Sequence, residues 1–126
     1  MKLNRIQLEK KVHSAVFDLI KEKNYVAPVD VLIRMAVLTD KDHKEWRFGR
    51  IPYLEKACNI NLGKLSFVMK EIRAFAKHIG LRESFTVYNR WGVKGKSIPL
   101  RFSKSGDSRI EKAYSTHFVK YRTDDP

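Results

Sequence analysis

Residues 59–80 read NINLGKLSFVMKEIRAFAKHIG, and this stretch determines the expected fold. At roughly 100° per residue, its apolar side chains fall within an arc of about 120°, as in a helix that packs one face on a core. These side chains are Leu65, Val68, Met69, Ile72, Phe75, Ala76 and Ile79. Residues 59–63 break the pattern before the helix, and Gly80 is a typical residue after a helix end. The sequence therefore predicts a helix over about residues 64–79.

The same helix carries a polar stripe that contains no acid. Its members are Ser66, Lys70, Arg73 and Lys77, within about 60° of one another and roughly 130° from the apolar arc. Such a stripe is either an ordinary solvated face or a face that contacts a polyanion, and the missing acids favour the second. In a major groove, early residues of a helix face base edges and later ones tend to meet the backbone. We therefore assign Ser66 and Lys70 to bases, Arg73 to either, and Lys77 to phosphate.

A basic β-hairpin is predicted over residues 82–104. Alternating apolar and polar residues from Phe85 to Arg90 predict one strand, a glycine-containing turn follows, and Ile98 to Phe102 predicts the returning strand. The basic residues of the segment are Arg82, Arg90, Lys94, Lys96, Arg101 and Lys104. Lys94 and Lys96 flank the tip, where long cations can follow a phosphate backbone. Trp91 is expected to anchor the hairpin to the core.

The order of short helix, tight turn, longer helix and basic hairpin resembles a winged helix-turn-helix domain. The resemblance covers about residues 50–104. It is carried by Tyr53–Cys58 with the small Ala57, by Ile79-Gly80-Leu81, and by Leu100-Arg101-Phe102-Ser103 followed by Gly106. The turn at residues 59–63 is longer and richer in Asn than in many members of the superfamily. The resemblance implies a recognition helix at about 64–79 and a basic wing at about 82–104.

Further helices are predicted on both sides of this motif. They cover Asn4–Lys23, Pro28 to about Leu38, Pro52–Cys58 and Asp107–Val119, whereas Thr39–Glu45 is expected to be turn-like and Trp46–Gly49 extended. The expected fold class is mainly α with a β-hairpin (α+β), in a single domain over residues 1–122 with a frayed tail at 123–126. The N-terminal or C-terminal helix is expected either to close the core or to contact a second copy or another protein.

Charge is the most informative feature of the composition. The chain has 26 Lys and Arg against 14 Asp and Glu, a formal net charge of +12. Residues 64–104 contain 10 basic residues and only two acids, so most of the excess lies there. Such a field attracts polyanions in a salt-dependent way. The single cysteine fits a reducing compartment, and no apolar run approaches the roughly 20 residues of a membrane span. We expect a cytoplasmic protein with no membrane partner.

Signals for catalysis are weak. The cluster Asp40–Glu45 contains two Asp, one Glu and His43, but its spacing matches no metal-binding motif. The remaining histidines, His13, His78 and His117, are far apart in sequence. Cys58 is expected to be a small core residue. The sequence therefore predicts no metal, no cofactor and no enzymatic activity.

The expected function is binding of nucleic acid, with double-stranded DNA favoured over RNA, by a regulator of transcription or an accessory factor of a bacterial or mobile-element system. The expected contact residues are Lys64, Ser66, Lys70, Arg73, Lys77, Arg82, Arg90, Lys94, Lys96, Arg101 and Lys104. Three alternatives stay open: an RNA or ribonucleoprotein component, a module that docks on an acidic protein, and a small nuclease that uses Asp40–Glu45.

Overall fold

The computed structural model describes residues 3–120, which form six helices and a three-stranded antiparallel sheet. The helices are α1 (Arg5–Lys23), α2 (Pro28–Arg34), α3 (Asp40–Arg47), α4 (Leu54–Ala57), α5 (Leu62–His78) and α6 (Ser108–Ser115). The strands are β1 (Tyr25–Val26), β2 (Arg82–Phe85) and β3 (Thr116–Val119). The α+β class is confirmed. The tail predicted to fray, residues 123–126, lies outside the described residues.

Helix α1 has nearly the predicted bounds because both of its ends are capped. Asn4 accepts a hydrogen bond from the backbone of Gln7, and the Gln7 side chain accepts one from the backbone of Asn4, which is a capping box. Asn24 ends the helix in the left-handed conformation, with φ of 65°. The buried face consists of Leu8, Val12, Ala15, Val16 and Leu19. Ile6, in the first turn of the helix, is exposed.

The sheet has the order β1-β3-β2, so the last strand in the chain is the central one. Phe118 pairs with Val26 on one side and with Glu83 on the other. The helix predicted over Asp107–Val119 is therefore wrong in its second half. It ends at Ser115, and Thr116 and Phe118 are then buried while the residues that follow each of them are more exposed. Pairing with two strands stabilises the extended conformation there.

The middle of the chain differs most from the prediction. Helix α2 ends at Arg34, before the predicted end at Leu38. The turn expected over Thr39–Glu45 and the extended segment expected over Trp46–Gly49 are both wrong, because α3 occupies most of them. Thr39 caps α3 by accepting a hydrogen bond from the Asp42 N–H at 3.1 Å. The acids of the first turn then lie at the favourable end of the helix dipole.

Helix α4 is a single turn, shorter than the helix predicted over Pro52–Cys58. Its first two N–H groups, which have no partner inside the helix, donate to carbonyls of a distant segment. The N–H of Leu54 donates to Arg101 at 3.2 Å, and that of Glu55 donates to Phe102 at 2.9 Å. Long-range hydrogen bonds thus attach residues 101–102 to α4.

Residues 86–107, between β2 and α6, form a long loop with a narrow hairpin inside it. One antiparallel bridge joins Asn89 to Pro99. Two hydrogen bonds flank it: the Arg90 N–H donates to the Ile98 carbonyl, and the Leu100 N–H donates to the Tyr88 carbonyl. The strands predicted over Phe85–Arg90 and Ile98–Phe102 therefore pair with each other only at this point, and Phe85 belongs to β2, which pairs with β3. Pro99 has no N–H to donate, which limits the ladder at this point.

The core lies between α1, α5, the sheet and an aromatic cluster. Helices α1 and α5 pack closely against each other, and the fully buried Trp46 contacts Phe102, whose ring stacks on Tyr114 with centroids 5.4 Å apart. This packing orients α5 and α6, which carry the candidate site.

Candidate nucleic-acid interface

Helix α5 is fixed by a cap and by its apolar face. It begins two residues before the predicted start because the Asn61 side chain accepts a hydrogen bond from the Lys64 N–H at 2.8 Å. The predicted apolar face is confirmed. Leu65, Val68, Ile72 and Ala76 are buried, and Met69, Phe75 and Ile79 pack against the core while partly exposed.

The stripe on the other face of α5 is exposed at every position. Ser66, Lys70, Arg73 and Lys77 all lie on the surface. Lys77 Nζ is 3.9 Å from the Glu83 carboxylate on β2. Within residues 3–120, no acid forms an ion pair with Lys70 or Arg73. Two cations on one helix face are therefore available to an external anion.

A cleft of about 340 Å³ separates α5 from α6. Lys70 and Arg73 line it from α5, and Arg109 and Lys112 line it from α6. Among the described residues that line the cleft, Glu83 is the one acid. The structure therefore adds two cations, on α6, that the sequence did not assign to the site. The apolar residues of the lining, referred to below as the floor, are Pro28, Met69, Ile72, Ala113 and Phe118.

The cations on α6 have weak partners within the chain. The Arg109 guanidinium lies 3.8 Å from the Asp107 carboxylate, with its side chain 93% exposed. Lys112 Nζ lies 4.5 Å from the centre of the Phe85 ring. Exposed pairs of this kind contribute little free energy, so they do not prevent contact with another anion.

Neither a protein-family model, nor a curated protein, nor a solved structure matches this chain. Within residues 3–120, no helix is long and apolar enough to cross a membrane.

Among the expected contact residues, Arg90 and Arg101 donate hydrogen bonds to backbone carbonyls of the chain. Arg90 Nε donates to the Phe48 carbonyl at 3.1 Å, and its side chain occupies the space beside Gly49 where a Cβ would stand. Arg101 donates through Nε to the Ser103 carbonyl at 2.8 Å and through another nitrogen to the Lys104 carbonyl. Both guanidinium groups hold the loop in place. A contact with nucleic acid by either residue stays a prediction.

The hairpin tip lies apart from these contacts. Lys94 and Lys96 are exposed on either side of Gly95, which has φ of +88° and requires glycine-like freedom. Trp91 was predicted to anchor the hairpin to the core, but its side chain is 39% exposed and attaches the base of the tip to the end of α3 instead. The backbone N–H of Trp91 donates to the Arg47 carbonyl at 2.7 Å, and its ring packs edge-on against Phe48.

The remaining expected contact residues lie at the margins. Lys64 is half-buried in the first turn of α5, and Arg82 is exposed on β2. Lys104 is exposed, and its backbone N–H donates to Glu55 at 2.9 Å. The structure thus brings two cations of α5 together with α6, while the cations of the hairpin tip lie on a separate loop that packs on α3.

An aromatic cage surrounds Arg47 behind the loop. Its guanidinium lies 4.6 Å from the Trp91 ring centre and 4.8 Å from that of Tyr88. Two of its nitrogens are buried without a hydrogen-bond partner, and burial lowers the pKa of the group. Burial also raises the pKa of the Tyr88 hydroxyl. The guanidinium stabilises the loop through cation–π contacts with these rings.

The structure places one histidine among carboxylates. His13 Nε2 lies 2.8 Å from Glu71 and 4.0 Å from Glu9, so the three side chains are close enough together to hold a metal ion. The sequence showed that Glu9 and His13 are four residues apart, but it did not show that Glu71 lies beside them. Within residues 3–120, the cluster Asp40–Glu45 does not form such a group, because it begins α3.

Cys58 is partly buried, and its Sγ lies 3.6 Å from the Leu54 carbonyl. Burial raises the pKa of its thiol to about 12. A thiol that stays protonated is a poor nucleophile, so Cys58 is a packing residue rather than a reactive one.

Proposed function

We propose that this chain is a non-enzymatic nucleic-acid-binding protein that binds double-stranded DNA through α5 and the loop between β2 and α6. One observation carries the proposal: Lys70 and Arg73 lie exposed on one face of α5, without an ion-pair partner in residues 3–120. An acid-free cationic face on a rigid helix is suited to a phosphate backbone and to base edges in a major groove.

The order of elements around α5 supports a winged-helix arrangement. The helix is followed by β2 and β3, an antiparallel pair joined by a long excursion that includes the cationic tip. In this proposal the wing consists of β2, β3 and the residues between them, 82–119 rather than 82–104, because the returning strand is β3. The narrow hairpin at residues 88–100 is its projecting part.

The exposed polar residues of α5 and of the hairpin tip have different roles in the proposed complex. Ser66 and Lys70, nearer the start of α5, would contact base edges, and Lys77 would contact phosphate beside its pairing with Glu83. The cations of the hairpin tip, Lys94 and Lys96, would contact a backbone further along the duplex. Phosphate contacts position the protein, whereas contacts to base edges discriminate sequence.

The proposal is tested by titrating the protein into labelled random duplex DNA, matched single strands and structured RNA at two salt concentrations. We expect salt-sensitive binding with duplex DNA preferred. A preference for RNA would overturn the choice of DNA and favour the RNA-binding alternative. No binding at low salt would overturn the proposal and favour an acidic protein partner.

A double variant, Lys70→Ala with Arg73→Ala, tests the helix itself. Loss of two charged contacts should weaken binding by about tenfold or more, at about 1.4 kcal/mol per tenfold. Lys10→Ala with Lys11→Ala is the matched control, because it removes two exposed cations from α1. Equal binding by the two double variants would overturn the assignment of α5.

A further inference from the structure

The cleft between α5 and α6 has both cationic and apolar residues in its lining, whereas a phosphate backbone needs only the cations. Its walls carry Lys70, Arg73, Arg109 and Lys112, and its floor is apolar. Single phosphates need only the cations. The apolar floor suits a ligand with a flat or hydrophobic body attached to its negative charge.

The size of the cleft limits the occupant. At about 340 Å³ it lies near the lower end of ligand pockets, which run from about 300 to 1,000 Å³. A duplex cannot enter such a space, but a single unstacked base with its phosphate is of suitable size. Bases outside a duplex are recognised by apolar or aromatic contact with the ring and by hydrogen bonds to its edge.

We propose that this cleft binds one nucleotide unit, with the base on the apolar floor and the phosphate between the cations of α5 and α6. The inference rests on the proposed function in that nucleic acid is one source of such a unit; a free mononucleotide is the other. Either source presents the same chemistry to the cleft.

Glu83 gives the proposed site a preference among bases. Among the described residues of the lining it is the one acid, and its carboxylate accepts hydrogen bonds and offers none. Guanine presents amino and ring N–H donors on its Watson–Crick edge, whereas thymine presents mostly acceptors there. In the proposed site the Glu83 carboxylate would face the base edge and favour guanine over thymine, because an acceptor facing an acceptor is repelled.

The test is a titration of the full chain with dGMP, followed through backbone amide signals by NMR. Deoxyguanosine and inorganic phosphate serve as the two half-ligands, and dTMP as the base control. We expect shifts at Met69, Ile72 and Ala113, with dGMP binding about tenfold more tightly than either half-ligand or dTMP. Absence of shifts at the cleft at millimolar dGMP would overturn the inference. So would equal binding of inorganic phosphate and dGMP, because the cleft would then be a simple cationic patch.

Variants identify the residues responsible. Arg109→Ala with Lys112→Ala should weaken dGMP binding about tenfold, while Lys10→Ala with Lys11→Ala should not change it. Glu83→Gln should reduce the preference for dGMP over dTMP, and an unchanged preference would contradict the role of Glu83. The wild-type titration does not depend on these variants, so a misfolded variant leaves the inference testable.

The two sources are separated by adding a dG-containing single-stranded oligonucleotide. Shifts at the same amides, which excess dGMP converts to the shifts of its own complex, would show that the cleft takes a nucleotide from a strand. Shifts with dGMP alone would identify the free nucleotide as the ligand. Duplex binding without shifts at the cleft by any of these ligands would overturn this inference and leave the proposed function standing. Binding of dGMP without any binding of duplex would overturn the proposed function and leave this inference standing.

Discussion

At the scale of single residues, Trp46 shows most clearly what the interior depends on. Its side chain is fully buried, and its indole N–H donates to the Arg101 carbonyl at 2.8 Å. Trp46→Ala removes the ring and its contacts with Tyr88 and Phe102, and leaves a cavity. We expect the free energy of unfolding to fall by about 3–5 kcal/mol. Trp46→Phe keeps an aromatic ring but loses the donor, and we expect a smaller loss of about 1–3 kcal/mol.

Urea unfolding followed by circular dichroism measures both changes. Trp91→Phe is the control, because Trp91 is 39% exposed and lies at the surface of the loop. We expect that variant to lose less stability than either change at Trp46. Equal losses at the two tryptophans would show that Trp46 is not the centre of the aromatic cluster.

His117 makes stability depend on pH. Its imidazole lies 2.9 Å from the Tyr88 hydroxyl and stacks on Tyr25. Burial lowers its pKa below the ordinary value of 6.5, Lys23 lowers it further, and Asp30 partly opposes both. Well above pH 6.5 the group is neutral in the folded and unfolded chains. As the pH falls through 6.5 the unfolded chain takes up the proton first, so stability falls until the folded pKa is passed.

His117→Gln should therefore reduce the loss of stability between pH 7 and pH 5. Part of the loss should remain, because burial and Arg47 also lower the pKa of His43. The measurement is urea unfolding at several pH values, with His78→Gln as control, since His78 is exposed at the end of α5. A pH dependence identical to that of the wild type would contradict the role of His117.

At the scale of elements, the sequence predicted the long helices well and the sheet poorly. Helices α1 and α5 have strong periodic patterns and local caps, which are properties of neighbouring residues. The helix predicted over Asp107–Val119 shows why the rest failed. Ile110, Tyr114 and Phe118 repeat at helical spacing, yet Tyr114, Thr116 and Phe118 also alternate. Residues 116–119 form a strand rather than a helix because β3 pairs with strands that are distant in sequence. A local sequence pattern carries no information about such partners.

The central position of β3 predicts the effect of truncation. A chain ending at Ser115 loses the strand that joins β1 to β2, and both would lose their partner. We expect loss of cooperative unfolding in a urea titration, because backbone groups lose their hydrogen bonds and the core loses Phe118. A chain ending at Lys120 is the control, since it keeps all of β3. Cooperative unfolding of the shorter chain would contradict the central role of the strand.

At the scale of the whole molecule, the sequence showed which segments carry the charge but not which charged side chains lie together in the fold. The stripe on α5 could be predicted because helical periodicity alone sets which residues share a face. Arg109 and Lys112 could not be joined to it, because their position depends on how α6 packs in the fold. Arg90 and Arg101 look equally cationic in sequence, yet both donate to carbonyls of their own chain. Charge alone does not distinguish a contact with a ligand from one that holds a loop.

The position of the hairpin tip, apart from the stripe on α5, predicts how salt will affect binding. Lys94 and Lys96 lie on an anchored but exposed tip, apart from the stripe on α5, so they should contact phosphates and not bases. Each phosphate contact contributes about 0.9 to the slope of log affinity against log salt concentration. Lys94→Ala with Lys96→Ala should therefore lower affinity for every duplex by a similar factor and flatten that slope by up to about two units. Fluorescence anisotropy at several salt concentrations measures the slope, with Lys10→Ala and Lys11→Ala together as control. A slope equal to that of the wild type would mean that the tip does not contact the phosphate backbone, and binding would then depend on α5 and α6.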